Sequence, residues 1–116
     1  MKKQKSIGVN LWSVKEHFST VEEADDSLRR LAEAGCDSVE LCLIPEMPDL
    51  PTMKGLCDQH GLAVCGLHDN EVLENPAASL DGAKAVGSDF VTFSYPVGRD
   101  LSDPDQVSKL IADLNE

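Results

Sequence analysis

Apolar residues gather in four short runs along this chain, separated by longer stretches in which they recur at helical spacing. The runs cover 7–12, 38–42, 63–67 and 90–94. Each has the length and bounding residues of a strand. Between the first two runs, Val21, Ala24, Leu28, Leu31 and Ala32 fall on one helical face. Thr20 and Glu23 stand before that face at capping-box spacing, where each side chain satisfies an orphan backbone donor. Asp49 is placed to cap a helix near 51–60, and Asn75 with Pro76 starts the next one. Ser102 and Pro104 open a last helix carrying Val107, Leu110, Ile111 and Leu114. Gly35, Gly61 and Gly87 close the first three helices at an interval of 26 residues, each in the position that favours a left-handed backbone. One more interval falls near position 113, and the chain ends at Glu116, at the close of the fourth helix.

Strands that alternate with helices predict parallel pairing with right-handed crossovers. The expected fold is α/β: four strand–helix units, half of an eight-unit barrel. Residues 1–5 are expected to fray, and 6–116 to form a single (βα)4 half-barrel domain. A doubly wound open sheet of flavodoxin type is the competing arrangement. Strand faces argue between them. Alternation puts Val9 and Leu11, Val39 and Leu41, Ala63, Cys65 and Leu67, and Val91 and Phe93 on one apolar side. The other side carries Gly8, Asn10 and Trp12, then Ser38, Glu40 and Cys42, then Val64, Gly66 and His68, then Phe90, Thr92 and Ser94. An open doubly wound sheet needs both faces apolar, whereas a barrel covers one face with helices and turns polar toward its mouth. The pattern favours the barrel.

Composition narrows the chemistry. A chain of 116 residues buries roughly two-thirds of its surface and fits one core. The formal net charge of −11 argues against nucleic acid and against an anionic membrane surface, both of which call for Lys and Arg. Cys36, Cys42, Cys57 and Cys65 have no CxxC spacing, so they read as buried free thiols in a reducing cytoplasm. No run of residues has the length of a membrane span, and the N-terminus lacks the apolar core of a signal peptide. Phosphate-loop, dinucleotide-loop, zinc-protease and GxSxG motifs are all missing from the sequence.

Asn10, Glu40, His68 and Ser94 share the inward parity near the C-terminal ends of their strands, where barrel enzymes place their working groups. Glu40, between Val39 and Leu41, is costly to bury unless paired, and reads as a proton-transfer or hydroxyl-binding group or as a salt-bridge partner in the sheet. His68 opens the cluster His68-Asp69-Asn70-Glu71 and reads as a hydrogen-bonding partner for a sugar oxygen, with metal ligation a lesser option. Glu40 and His68 are the expected catalytic pair; Asn10, Trp12 and Ser94 are the expected substrate-binding residues. Trp12 and Phe18 flank the first strand–helix loop, available either for stacking on a sugar ring or for core packing. Arg99 reads as a solvated loop residue, His60 as an electrostatic helix cap, and His17 as a polar loop residue.

The segments "IGVNLWSV", "LAEAGCDSVEL", "HGLAVCGLHD" and "AKAVGSDFVTF" resemble, in order and spacing, the N-terminal half of the sugar phosphate isomerase/epimerase family. These are xylose isomerase-like (βα)8 barrels. The resemblance runs over residues 6–116. It implies aldose–ketose isomerisation or epimerisation of a sugar, sugar phosphate or cyclitol, assisted by a divalent metal (Mn2+, Mg2+ or Zn2+). Glu40 matches the glutamate of the family's G-x-E strand, and His68 the histidine ending its third strand. In the nuclease branch that histidine binds metal; the acidic charge here points away from that branch. The family's metal ligands lie mostly in the second half of the barrel, so none is assigned here and His68 is a marginal candidate. Two outcomes follow from the resemblance. Either a homodimer or a complementing half-barrel chain closes an active barrel, or the half-barrel is a catalytically silent module that binds a sugar or a partner.

Overall fold

The computed structural model describes residues 5–116. The expectation of fraying at 1–5 therefore lies largely outside the described residues; Lys5 is exposed. Four strands, β1 (Gly8–Asn10), β2 (Ser38–Cys42), β3 (Ala63–His68) and β4 (Val91–Thr92), form one parallel sheet in the order β1-β2-β3-β4. Helices α1 (Val21–Glu33), α2 (Leu50–Gln59), α3 (Pro76–Val86) and α4 (Pro104–Leu114) follow the strands in turn. Sequential order with parallel pairing is the arrangement of a barrel segment; in a doubly wound sheet the strand order reverses.

Each helix start follows from its local residues. Thr20 accepts from the Glu23 N–H at 3.1 Å, while Glu23 Oε2 reaches back to the Ser19 N–H at 3.1 Å, one residue earlier than a reciprocal capping box requires. Asp49 accepts from Thr52 N–H at 2.8 Å and Asn75 from Ala78 N–H at 3.2 Å. Asp103, rather than Ser102, caps α4. The three repeated glycines end their helices in one way. The residue after each glycine donates its N–H back to the final turn: Cys36 to Leu31, Leu62 to Cys57 and Ser88 to Ala83, at 3.1, 2.9 and 2.9 Å. The glycines take φ of 97°, 69° and 69°, which closes orphan carbonyls without a Cβ clash.

The core lies between the sheet and the first three helices. Phe18, Leu11, Leu28, Val39, Leu41, Cys57, Leu67 and Val86 are all but fully enclosed there. α4 buries no residue, and its Ile111 and Leu114 are exposed.

Three expectations need correction. β1 stops at Asn10 instead of running to residue 12, because the Asn10 side chain accepts the Trp12 N–H at 2.8 Å and starts a 3-10 turn over Leu11–His17. β4 covers two residues rather than 90–94: at Ser94 the backbone N–H turns to the Asn70 side chain, at 3.2 Å. In β3 the pairing with β2 slips between Val39/Val64 and Glu40/Gly66, so one extra residue bulges at Cys65. The bulge exchanges the two expected faces. Val64 packs against the core, and Cys65 is exposed rather than buried. Past it, Leu67 still faces the core and His68 is half-buried on the other side.

Candidate functional site

The C-terminal ends of the strands open on two adjoining clefts. One, of about 440 Å³, is lined by Asn10, Trp12, Ser13, His68, Asn70, Ser94 and Tyr95. The other, of about 460 Å³, is lined by residues that include Trp12, Cys42, Ile44, His68, Asp69, Asn70 and Glu71. Trp12, His68 and Asn70 border both.

His68 ends β3, and its Nε2 meets Ser94 Oγ at 2.7 Å and Asn70 Oδ1 at 3.3 Å. Asn70 Oδ1 also accepts the Ser94 N–H at 3.2 Å and faces the Ser94 hydroxyl at 3.3 Å. A hydroxyl both donates and accepts. Ser94 therefore serves His68 in either imidazole tautomer: it donates to a bare Nε2, or accepts from Nε2–H while donating to Asn70. The loop carrying Asn70 is held from below. Asp69 is 4% exposed, accepts the Glu71 N–H at 2.9 Å through Oδ1, and takes the Ser79 hydroxyl of α3 on Oδ2.

Asn10 ties the first strand to the second. Its Oδ1 takes the Trp12 N–H and also lies 3.4 Å from Cys42 Sγ. Burial pushes the Cys42 thiol up, the Trp12 backbone N–H pulls it the other way, and the Glu40 carboxylate adds to the rise. Cys42 is thus a neutral hydrogen-bond donor, not a thiolate nucleophile.

Trp12 is 52% exposed and lies in the 3-10 turn, not on the strand as expected. Lys15 Nζ sits 3.7 Å from its ring centroid. Phe18, its expected companion, is buried in the core. Glu40 is half-buried on the sheet's open face beside Gly66, where a Cβ would meet its Cγ at 3.4 Å. Among the described residues it has no hydrogen-bond or ion-pair partner, so the alternative of a salt bridge within the sheet is not realised.

Arg99 and His60 each meet a carboxylate. Arg99, expected in solvent, is 14% exposed and binds Asp113 of α4 at 2.5 Å. His60 ends α2 and its Nε2 meets Asp25 Oδ1 of α1 at 2.6 Å, a hydrogen-bonded contact between helices beyond the expected capping. His17 is exposed.

Among the described residues, no three His, Cys, Asp or Glu side chains come together in a metal-binding group. His68 meets a hydroxyl and an amide, which are weak ligands for a divalent cation. The residues present do not fit a metal centre. No helix among the described residues is long and apolar enough to cross a membrane.

Sequence reasoning placed Asn10, His68, Ser94 and Trp12 around these clefts. It named Asn70 and Asp69 only as members of a polar cluster and gave Cys42 no role. The signal for Asn70 was its place two residues beyond the strand-ending His68, in a loop crowded with hydrogen-bonding side chains.

No family model and no curated protein sequence matches the chain. In three dimensions it is similar to a sugar phosphate isomerase/epimerase from Parabacteroides distasonis, with a TM-score of 0.63 and 18% identity, over 97% of this chain and 47% of that one. It is similar also to an AP endonuclease of family 2 from Brucella melitensis, with a TM-score of 0.64 and 18% identity, over 93% of this chain and 47% of that one. The chain thus spans about half the length of the structures it matches. Identity this low speaks for fold alone: four parallel strands in sequential order, each followed by a helix, make half of a xylose isomerase-like (βα)8 barrel.

Proposed function

We propose that this chain forms the N-terminal half of a sugar- or cyclitol-binding cup of the isomerase/epimerase type. The observation that carries the reading is the His68–Ser94–Asn70 network, open to a cleft of about 440 Å³ at the strand ends. Asn10, His68, Asn70 and Ser94 hydrogen-bond ligand hydroxyls, and the exposed Trp12 ring stacks on the apolar side of a sugar ring. His68 gives or takes a proton while Ser94 keeps its bond to Nε2, which suits general acid–base work on a carbon next to a carbonyl. Glu40, unpaired on the same open face, is the second proton carrier. Nothing in these roles depends on a metal.

Turnover belongs to a completed barrel. β1 and β4 each have one strand neighbour, so each leaves an edge of unpaired backbone groups. A second copy of this chain, or a complementing half-barrel, would pair both edges. Free thiols fit a reducing cytoplasm for that assembly. The second reading is a silent module that binds a sugar or a partner through the same cleft.

The test is a titration of the 15N-labelled chain with D-xylulose, followed by NMR. The amide resonances of Trp12, His68, Asn70 and Ser94 are expected to move together, and His68→Ala to weaken binding by about tenfold, as loss of one or two hydrogen bonds does. Absence of any shift at these positions overturns the binding role. Aldose–ketose interconversion that Glu40→Gln abolishes favours the enzyme over the silent module.

A further inference from the structure

We infer that the part of the ligand held by this mouth is an uncharged polyol, and that the mouth rejects phosphate and carboxylate groups. The inference rests on the binding role proposed above and narrows its substrate class. It follows from the charges around the two clefts. Among the described residues, no Lys or Arg lines either of them. Asp69 and Glu71 line the larger one, and Glu40 lies on the same open face, alongside Cys42.

The basic side chains on the flanking loops already have partners. Lys15 sits against the Trp12 ring and lines a separate cleft with Glu16 and Glu46. Arg99 is held by Asp113 at 2.5 Å and lies 4.0 Å from Glu74. At the mouth itself, His68 Nε2 already faces Ser94 and Asn70. Tight binding of a phosphate ester calls for a cationic fork or a cluster of backbone donors. Among the described residues, no cationic fork lines this mouth.

What is present suits hydroxyls. Asn10, Ser13, Asn70, Ser94 and Tyr95 offer neutral groups that donate and accept in one small cleft. A sugar hydroxyl does both as well, so each can be matched without desolvating a charge. The Trp12 ring supplies the apolar surface for the ring carbons.

The experiment compares D-xylulose with D-xylulose 5-phosphate on the full chain by the same NMR titration, with inorganic phosphate as a control. Neutral xylulose is expected to bind about tenfold more tightly than its ester at low salt, the size that two or three partly screened like charges produce. Raising salt to about 0.5 M, or Glu71→Gln, is expected to narrow that gap, since the repulsion is electrostatic. An ester that binds equally or more tightly through the same resonances overturns this inference and leaves the binding role standing. If neither compound moves those resonances, the binding role falls and this inference falls with it.

Discussion

At the scale of single residues, the most consequential groups are buried polar ones the chain has to satisfy. Asp69 has almost no contact with water, and its two oxygens are held by the Glu71 N–H and the Ser79 hydroxyl. Ser79→Ala removes one partner and leaves a carboxylate oxygen buried without a donor, a loss of about 1–3 kcal/mol. Urea denaturation is expected to show that loss as a lower midpoint at an unchanged slope. Cys57 gives a pH signature. Burial in the core raises its thiol from 9.0 to about 11. Between those values the folded chain binds more protons than the unfolded one, so stability falls as pH rises. The contribution is whole below about pH 9 and is lost toward pH 11, on the order of 2–3 kcal/mol. Comparing the chain with Cys57→Ala at about pH 8 and pH 11 isolates it: the advantage of the native thiol should shrink at the higher pH.

At the scale of elements, one helix carries two glycines with opposite meanings. Gly55 lies inside α2 and Gly61 just past its end, and a Cβ at either would meet nothing within 4 Å. Only the backbone distinguishes them. Gly61 has a φ of 69°, which an L side chain strains. Gly55→Ala is expected to stabilise by about 0.5–1 kcal/mol and Gly61→Ala to destabilise by about 1 kcal/mol. Thermal melts of the two variants should therefore move in opposite directions. The bulge at Cys65 acts at the same scale. It adds one residue to β3 and so keeps Leu67 in the core after Val64 has already taken a core-facing place. His68 then reaches the mouth beside Ser94.

For the whole molecule, shape follows from an uncovered sheet face. The Cα radius of gyration is 16.1 Å, against about 13 Å for a compact domain of this length. α4 shows why. Its Ile111 and Leu114 have no core to enter, and it is tied to the preceding loop by the Arg99–Asp113 pair and by the Asp100 N–H donating to Gln106 Oε1. The proposed assembly predicts a dimer near twice the 12.5 kDa chain mass in light scattering. Arg99→Ala should loosen α4 and weaken that dimer. A stable monomer across the accessible concentration range rejects closure by a second copy.

By itself, the sequence determined the order and type of the elements and most of their ends. Thr20, Asp49, Asn75 and the glycines at 26-residue spacing act on backbone groups within a few residues, so their effects were legible without a fold. Alternation along β2 likewise put Val39 and Leu41 in the core and left Glu40 half-buried between them. The tertiary structure alone decided what depended on neighbours in space. The Cys65 bulge is a mismatch between two strands and has no local signature. Asn70 entered the site because Ser94, 24 residues on, came within reach of its side chain. Arg99 left solvent because α4 brought Asp113 to it. Local hydrogen bonding is written in adjacent letters; pairing register and ion pairs between distant elements exist only once the chain has closed on itself.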